Sequence, residues 1–415
     1  MTQWITLPAV KKMKVEILPS ELKGKVNAPP SKSEAHRLLL AAGLSEGKSV
    51  IKNVDFSGDI SATLDCLEAF GAVIQKGGGS VKIKGFDPMK AKNISLDCRE
   101  CGTTARLFAP LCLLSGEEAF LTGSERLMSR PMTVYEDICE KQGIIMRRKG
   151  SGYELKGPLC AGEFHVKGNI SSQFISGLLF ALPLLRDGSE LTVIPPFESR
   201  PYIDMTLDVI SRSGVKINKA DELNFSVPGN QKYGALHETV EGDWSNAAFL
   251  YALKYLGFDI EVQGLNENSF QGDKACVSYF EELKNGFARI NLADCPDLAP
   301  ILFAFAGMNG GGEFTGTERL KIKESNRIGE VAEELAKAGI RLEESGENRV
   351  RVYSDSFKKP DEPFFGHNDH RTVMALSVLC AVTGGVIEGA EAVAKSYPAF
   401  FDDLSNLEAK IKYDT

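Results

Sequence analysis

Pro29-Pro30-Ser31-Lys32-Ser33 opens a run from Glu34 to Leu44 that is apolar at most positions. This is how a helix begins: a Ser hydroxyl accepts from an unpaired N–H of the first turn, and an apolar run follows. The pattern returns five times, opening with Glu100-Cys101-Gly102-Thr103-Thr104, Ile170-Ser171-Ser172-Gln173, Glu241-Gly242-Asp243-Trp244-Ser245, Cys295-Pro296-Asp297 and Asn368-Asp369-His370-Arg371. With Ser31, Gly102, Ser171, Asp243, Asp297 and His370 as anchors, the intervals are 71, 69, 72, 54 and 73 residues. One unit is short and the others agree closely.

Each opening helix leads to a β-like run, and then to a second, more polar helix followed by a strand. Asp59 to Phe70 precedes Gly71-Ala72-Val73-Ile74, and Ile328 to Ala338 precedes Gly339-Ile340-Arg341-Leu342. Gly at the helix-to-strand turn is the expected C-terminal stop. Ser129-Arg130-Pro131 and Ser199-Arg200-Pro201 are nearly identical, and Pro in a first turn predicts that both begin second helices. Alternating helices and strands predict an α/β protein. A chain of 415 residues is too long for one ordinary core, so the repeats predict two domains of three units each.

The openings carry more than caps. Lys32, Arg37, Gln173, His370 and Arg371 recur at or near the same place in several units. Helix N-termini gathered in one direction present backbone N–H groups that bind anions. The net charge is −8, which disfavours non-specific nucleic-acid binding, so any bound anion is held by a local cluster of cations. Nine cysteines at irregular spacing, with Cys98 and Cys101 the one C-x-x-C, are expected to be reduced thiols of a cytoplasmic protein. Met1 to Lys12 has no long apolar run, so no secretory signal is expected. The stretch Gly177 to Leu185 is too short to span a bilayer, so no membrane partner is expected.

Two denser clusters complete the candidate site. In Lys323-Glu324-Ser325-Asn326-Arg327, the two cations lie four apart and share a face if a helix has begun there. His367-Asn368-Asp369-His370-Arg371 is followed by Lys395-Ser396-Tyr397-Pro398. The His pair lacks a thiol or acidic partner at zinc spacing, so no metal is assigned. Gly77-Gly78-Gly79 and Gly310-Gly311-Gly312 lack the following Lys-Ser/Thr of a phosphate loop and read as turns. Many cations with the carboxylates Asp297, Glu324 and Asp369 suit metal-free chemistry on a phosphorylated metabolite. There, Lys and Arg stabilise charge and a carboxylate moves protons.

In their order and number these motifs, from about Lys25 to Phe401, resemble the 5-enolpyruvylshikimate-3-phosphate (EPSP) synthase family. The resemblance implies an inside-out α/β barrel of two similar domains, each of three βαβαββ units, with the active site in the cleft between them. One domain is expected over 27–240 and the other over 1–26 plus 241–415. The implied shikimate-3-phosphate contacts are Lys32, Ser33, Arg37, Ser171, Ser172, Gln173, Ser199, Tyr202, Asp297 and Lys323. The implied phosphoenolpyruvate (PEP) contacts are Lys32, Gly102, Arg130, Gln173, Arg327, Arg371 and Lys395. By the same resemblance, Asp297 accepts the proton of the attacking hydroxyl, and Glu324 gives one to the PEP methylene carbon and later removes one. Lys32, His370 and Lys395 assist. No metal or organic cofactor is implied, and a monomer is expected. The herbicide glyphosate is expected at the PEP place, pressing on Gly102.

The chain departs from the commonest family pattern at Glu100 and Cys101, where Asn-Ala is usual, and at His36, where Asn is usual. The nearest rival is the related transferase acting on UDP-N-acetylglucosamine. It is disfavoured because Ser171-Ser172-Gln173 and Ser199-Arg200-Pro201-Tyr202 match the shikimate side, and because Ser124 to Arg130 contains no Cys. A non-catalytic anion-binding repeat protein has no need of Asp297 and Glu324 together, and an RNA-end cyclase fits the acidic balance poorly.

Overall fold

The computed structural model describes residues 12–346 and 348–414, so almost all of the Met1–Lys12 segment read for a signal lies outside them. The six opening helices form at Lys32–Leu44, Gly102–Cys112, Ser172–Ala181, Trp244–Tyr255, Ala299–Met308 and His370–Thr383. In Lys32–Leu44 every residue after Ser33 is buried, and in Ala299–Met308 every residue but Met308. A helix enclosed on all sides has no use for an amphipathic stripe, which is why these runs are apolar all round.

The strands are built the other way. Lys48–Lys52 buries Ser49 and Ile51 while Lys48 and Lys52 are exposed, and Arg349–Tyr353 likewise buries Val350 and Val352. Such period-2 alternation marks sheets with one face inward and one in water. The helices are therefore inside and the sheets outside.

Unit two shows the arrangement. Ile94–Asp97 and Glu118–Thr122 are parallel, joined across Gly102–Cys112, with Leu96 opposite Leu121. Gly152–Lys156 and then Ile145–Lys149 add antiparallel, with Tyr153 opposite Leu121. Units three and five repeat this four-strand order. No sheet of the described residues closes on itself. Unit four has only the pair Lys23–Asn27 and Asp259–Gln263. After its second helix, Cys276–Lys284, the chain passes directly to Ala288–Asn291 of unit five. The missing hairpin explains the short interval of 54 residues. Unit six is completed from the other end of the chain, with Lys14–Leu18 between Gly385–Glu388 and Lys410–Asp414.

The apolar residues gather in two clusters, one running from Ala35 to Val240 and the other combining Val15 to Val26 with Trp244 to Leu407. The chain passes between them twice, and at each passage a strand is exchanged. Lys23–Asn27 precedes unit one yet pairs in unit four, while His237–Thr239 precedes unit four yet pairs with Lys48–Lys52 of unit one. The two passages bond to each other: Ser31 N–H donates to the Glu241 carbonyl at 2.8 Å, and Asp243 N–H to the Pro29 carbonyl at 2.7 Å.

One expected helix start is placed differently, and the helix that would align Lys323 with Arg327 has not yet begun at those residues. Lys323 to Ile328 is not helical; a helix begins only at Gly329, because Asn326 first turns the chain by accepting from the N–H groups of Ile328 and Gly329. Ser129-Arg130-Pro131 ends one short helix, Glu125–Ser129, and the next starts at Thr133, whereas Arg200-Pro201 does open Arg200–Arg212. No described helix is long and apolar enough to cross a membrane.

Candidate active site

Residues of five of the six helix openings line the cavities described below, and the fourth, at Asp243, touches Lys32 of the first. Ser31, Cys101, Ser171, Asp243 and Asp369 each cap a first turn with the side chain, to the N–H of Glu34, Thr104, Gln173, Asn246 and Arg371 respectively. Asp243 also accepts from Lys32 N–H at 3.0 Å, so one carboxylate serves two openings in different halves. At the last opening, His367 and Asn368 both hold positive φ, 48° and 53°. This left-handed turn is unfavourable for residues with side chains, and it aims Asp369, His370 and Arg371 into the site.

The water-accessible cavity between the two clusters is about 80 Å³ and opens to solvent. From the first half it is lined by Lys32, Ser33, Arg37, Gly102, Arg130, Ser171, Ser172, Gln173, Ser199 and Tyr202. From the second it is lined by Asp297, Lys323 and Glu324. His370 and Lys395 line an adjoining cavity, which shares Arg130 and Glu324. Arg327 and Arg371 stand behind Asp297. Every residue expected at the site is thus brought together.

Asp297 is the centre of the charge network. Its carboxylate accepts from Arg327 Nη1 at 2.8 Å, Arg371 Nη2 at 2.9 Å, Lys323 Nζ at 3.4 Å and Tyr202 Oη at 3.3 Å. Burial by itself would raise the carboxyl, but Arg371, Lys323, Arg327 and Lys32 together hold it well below the usual range. Glu324 is held down against burial in the same way by Arg327, Arg130 and Lys323, with Arg327 Nη2 2.8 Å away. Asp369, fully buried, takes Arg327 Nε at 2.8 Å and is held at about 2 although burial opposes it. Arg327 therefore joins three carboxylates, and Lys323 reaches Asp297 from the same loop without a helix to align them.

Neighbouring groups are tuned oppositely. Burial, then the nearby Asp297, lifts Asp273 to about 6. Tyr202 Oη lies 3.0 Å from Asp273 and 3.3 Å from Asp297, and its single proton can serve only one of them at a time. Burial, then Lys32 and Arg371, brings His370 down to about 3, so its imidazole is neutral at pH 7. Both its ring nitrogens, and Nε and Nη1 of Arg371, are buried without a hydrogen-bond partner. The two Arg371 nitrogens and the single N–H of the neutral His370 ring are thus donors without an acceptor, a need an anionic ligand could meet.

Some expected contacts are already engaged. Arg37 donates to Thr206 Oγ1 at 2.7 Å, the Ser33 carbonyl at 2.7 Å and the Tyr202 carbonyl at 3.1 Å, so it braces the wall. Lys32 Nζ pairs with Asp59 at 2.9 Å, and Lys395 pairs with Glu100 while donating to the Asn368 carbonyl at 2.7 Å.

Sequence reading assigned no role to Arg106, Asp59 or Arg319. Arg106 binds Gln173 Oε1 at 2.7 Å, and its place four residues after Gly102 was the available signal, matching Arg37 near Lys32. Asp59 stands in the first turn of the second helix of unit one, Gly58–Ala69, and nothing local marks it as the partner of Lys32. Arg319 donates to Ser199 Oγ at 3.0 Å and pairs with Glu198, so the second half holds a serine of the first, itself at φ 57°.

A family model described as EPSP synthase (3-phosphoshikimate 1-carboxyvinyltransferase) matches residues 18–404. A Clostridium kluyveri protein named 3-phosphoshikimate 1-carboxyvinyltransferase is 37% identical over 418 residues, spanning 96% of this chain and 98% of the relative. One of the same name from Clostridium perfringens strain SM101 is 36% identical over 422 residues, spanning 96% and 99%. Among solved structures, EPSP synthase from Acinetobacter baumannii aligns with a TM-score of 0.78 at 22% identity, over 97% of this chain and 100% of that one, a likeness of fold.

Proposed function

The chain belongs to the EPSP synthase family, and from that premise we propose how its residues divide the work. The enzyme transfers the enolpyruvyl group of PEP to the 5-hydroxyl of shikimate-3-phosphate and releases phosphate, a step of the shikimate pathway to aromatic amino acids. The assignment of roles rests on one observation: Asp297 and Glu324 face a single cavity, each held ionised by cations that an incoming anion can claim.

In the proposed sequence, shikimate-3-phosphate lies along Lys32, Ser33, Ser171, Ser172, Gln173, Ser199, Tyr202 and Lys323, within a wall braced by Arg37. PEP takes Lys32, Gly102, Arg130, Gln173, Arg327, Arg371 and Lys395. Its anionic groups compete with Glu324 for Arg130 and Arg327, and with Asp297 for Arg327 and Arg371. Each carboxylate then loses part of what held it low, and its proton affinity rises. Asp297 accepts the hydroxyl proton as the new C–O bond forms, and Glu324, which takes up a proton from solvent once PEP claims its cations, gives that proton to the PEP methylene carbon. Glu324 then removes a proton from the resulting methyl group as phosphate leaves. The neutral His370 and the charged Lys32 and Lys395 stabilise the tetrahedral intermediate by hydrogen bonds and charge.

The domain limits 27–240 and 1–26 plus 241–415, a monomeric state and a cytoplasmic location are parts of the same proposal. The two apolar clusters and the strand exchange support those limits. The helix Glu125–Ser129, without a Cys, stands where the UDP-N-acetylglucosamine enzymes are expected to carry one. Phosphate release from PEP with each acceptor is the test. Release is expected only with shikimate-3-phosphate, and equal turnover with UDP-N-acetylglucosamine overturns the acceptor assignment.

A further inference from the structure

His36, Asp59 and Cys101 meet beneath the cavity from three segments of the chain: the helices Lys32–Leu44 and Gly58–Ala69, and the cap of Gly102–Cys112. No chemical step above uses any of them. Cys101 Sγ lies 3.8 Å from His36 Nε2, and one ligand atom from each of the three residues lies within 4.8 Å of the others. Zinc bound at about 2.3 Å to sulfur and about 2.0 Å to nitrogen in tetrahedral geometry spaces those two atoms roughly 3.5 Å apart. The pair therefore needs to close by only a few tenths of an ångström.

The support around the imidazole also fits. His36 Nδ1 is 2.7 Å from Thr63 Oγ1, which is 2.7 Å from Thr104 Oγ1. A ligating imidazole donates its other N–H to a fixed acceptor, which sets the tautomer and aims the free nitrogen. Thr63 Oγ1 is placed to be that acceptor, which would leave the nitrogen facing Cys101 free. His36 and Cys101 are buried, but Asp59 lines both cavities, so an ion has an entry path and an open fourth position.

We propose that His36, Asp59 and Cys101 form a binding site for a zinc-class divalent ion, and that the bound ion inhibits the enzyme. A thiolate, an imidazole and a carboxylate together suit a borderline-soft ion. On binding, the Sγ–H bond breaks and its proton passes to solvent. Sγ, Nε2 and an Asp59 oxygen each donate an electron pair to the ion, and nothing is oxidised or reduced. Asp59 then no longer holds Lys32, and Cys101 no longer caps Thr104 N–H. Lys32 and the turn at Gly102 both lose their positions.

Cobalt(II) titration of the full chain reads the site directly, because a thiolate ligand gives an intense charge-transfer band in the near ultraviolet. One equivalent is expected to produce the band. Cys101→Ala should abolish it, and His36→Asn should weaken cobalt binding at least about tenfold, the scale for disturbing a ligand set. Both substitutions restore the commoner family residues. Their metal-free turnover and melting temperature establish that they fold. Cys160→Ser, which removes an exposed thiol, should leave the band intact. Zinc should lower turnover of the parent, a chelator should restore it, and both variants should need at least about tenfold more zinc for the same loss. A parent without the band, or a band that persists in Cys101→Ala, overturns the site. Zinc binding at this site with unchanged turnover overturns the inhibition.

Discussion

A methyl group on Gly102 would lie 2.8 Å from Arg130 Nη1 and 3.2 Å from Arg106 Nη1. The glycine makes room for the protein's own guanidinium groups, which line the cavity. Gly102→Ala is therefore expected to displace Arg130, raise KM for PEP several-fold, and raise the inhibition constant for glyphosate by more. Inhibition series at several PEP concentrations on both proteins check this, and an unchanged KM counts against the role of Arg130. Glu324→Gln and Asp297→Asn keep shape and remove proton transfer. Each should lower kcat at least about a hundredfold while still binding substrate, and near-normal turnover means the proton steps lie elsewhere. Asp369 titrates at about 2 in the folded chain against an ordinary 3.8. Its folded value is depressed, so its contribution to stability is full above about 4 and is lost as pH falls toward 2. Asp369→Asn should melt lower at pH 7, and the gap to the parent should narrow across that window. A gap constant with pH shows that the loss is not ionic.

The helix starts carry more than their own caps. Asp243 caps Trp244–Tyr255 and also holds Lys32 N–H at the mouth of another helix. Glu34, buried in the first helix, accepts from Glu241 N–H at the second passage and pairs with Arg212 at 2.8 Å. These side chains fix the angle between two openings in different halves. Asp243→Ala is expected to lower stability by about 1–2 kcal/mol as a lost cap and to raise KM for both substrates, because Lys32 loses its backbone anchor. Denaturant unfolding and steady-state kinetics test the two effects separately, and a stability loss with unchanged KM confines Asp243 to capping.

Across the molecule, cations of the cleft are paired with carboxylates of the protein, some of them from the opposite half. Arg130 of one half lies 3.6 Å from Glu324 of the other, and Lys395 pairs with Glu100. Substrate anions are expected to replace these partners with stronger bridges from both sides, and only such differential contact can shift an equilibrium between open and closed states. The paired passages Asn27–Pro30 and Glu238–Glu241 are the natural hinge. Small-angle scattering is expected to give a smaller radius of gyration with saturating shikimate-3-phosphate than without ligand. An unchanged radius means that the protein's own ion pairs already keep the cleft shut.

The six-fold repeat, the polar openings and the cation clusters were legible in the chain, because capping and burial act over a few residues and leave a local pattern. Ser31, Ser171 and Asp243 announce their helices for that reason. The candidate site residues followed through resemblance of their motifs, and Lys323 and Arg327 both meet Asp297 although no helix aligns them. Three things depended on tertiary structure. The exchange of Lys23–Asn27 and His237–Thr239 between units comes from long-range pairing that neither strand encodes alone. The pairing of Asp59 with Lys32 and of Glu100 with Lys395 joins positions with no local relation. The displaced proton affinities of Asp297, Glu324 and His370 arise from burial and from charges on other helices, and those fields exist only once the chain has brought its ends together.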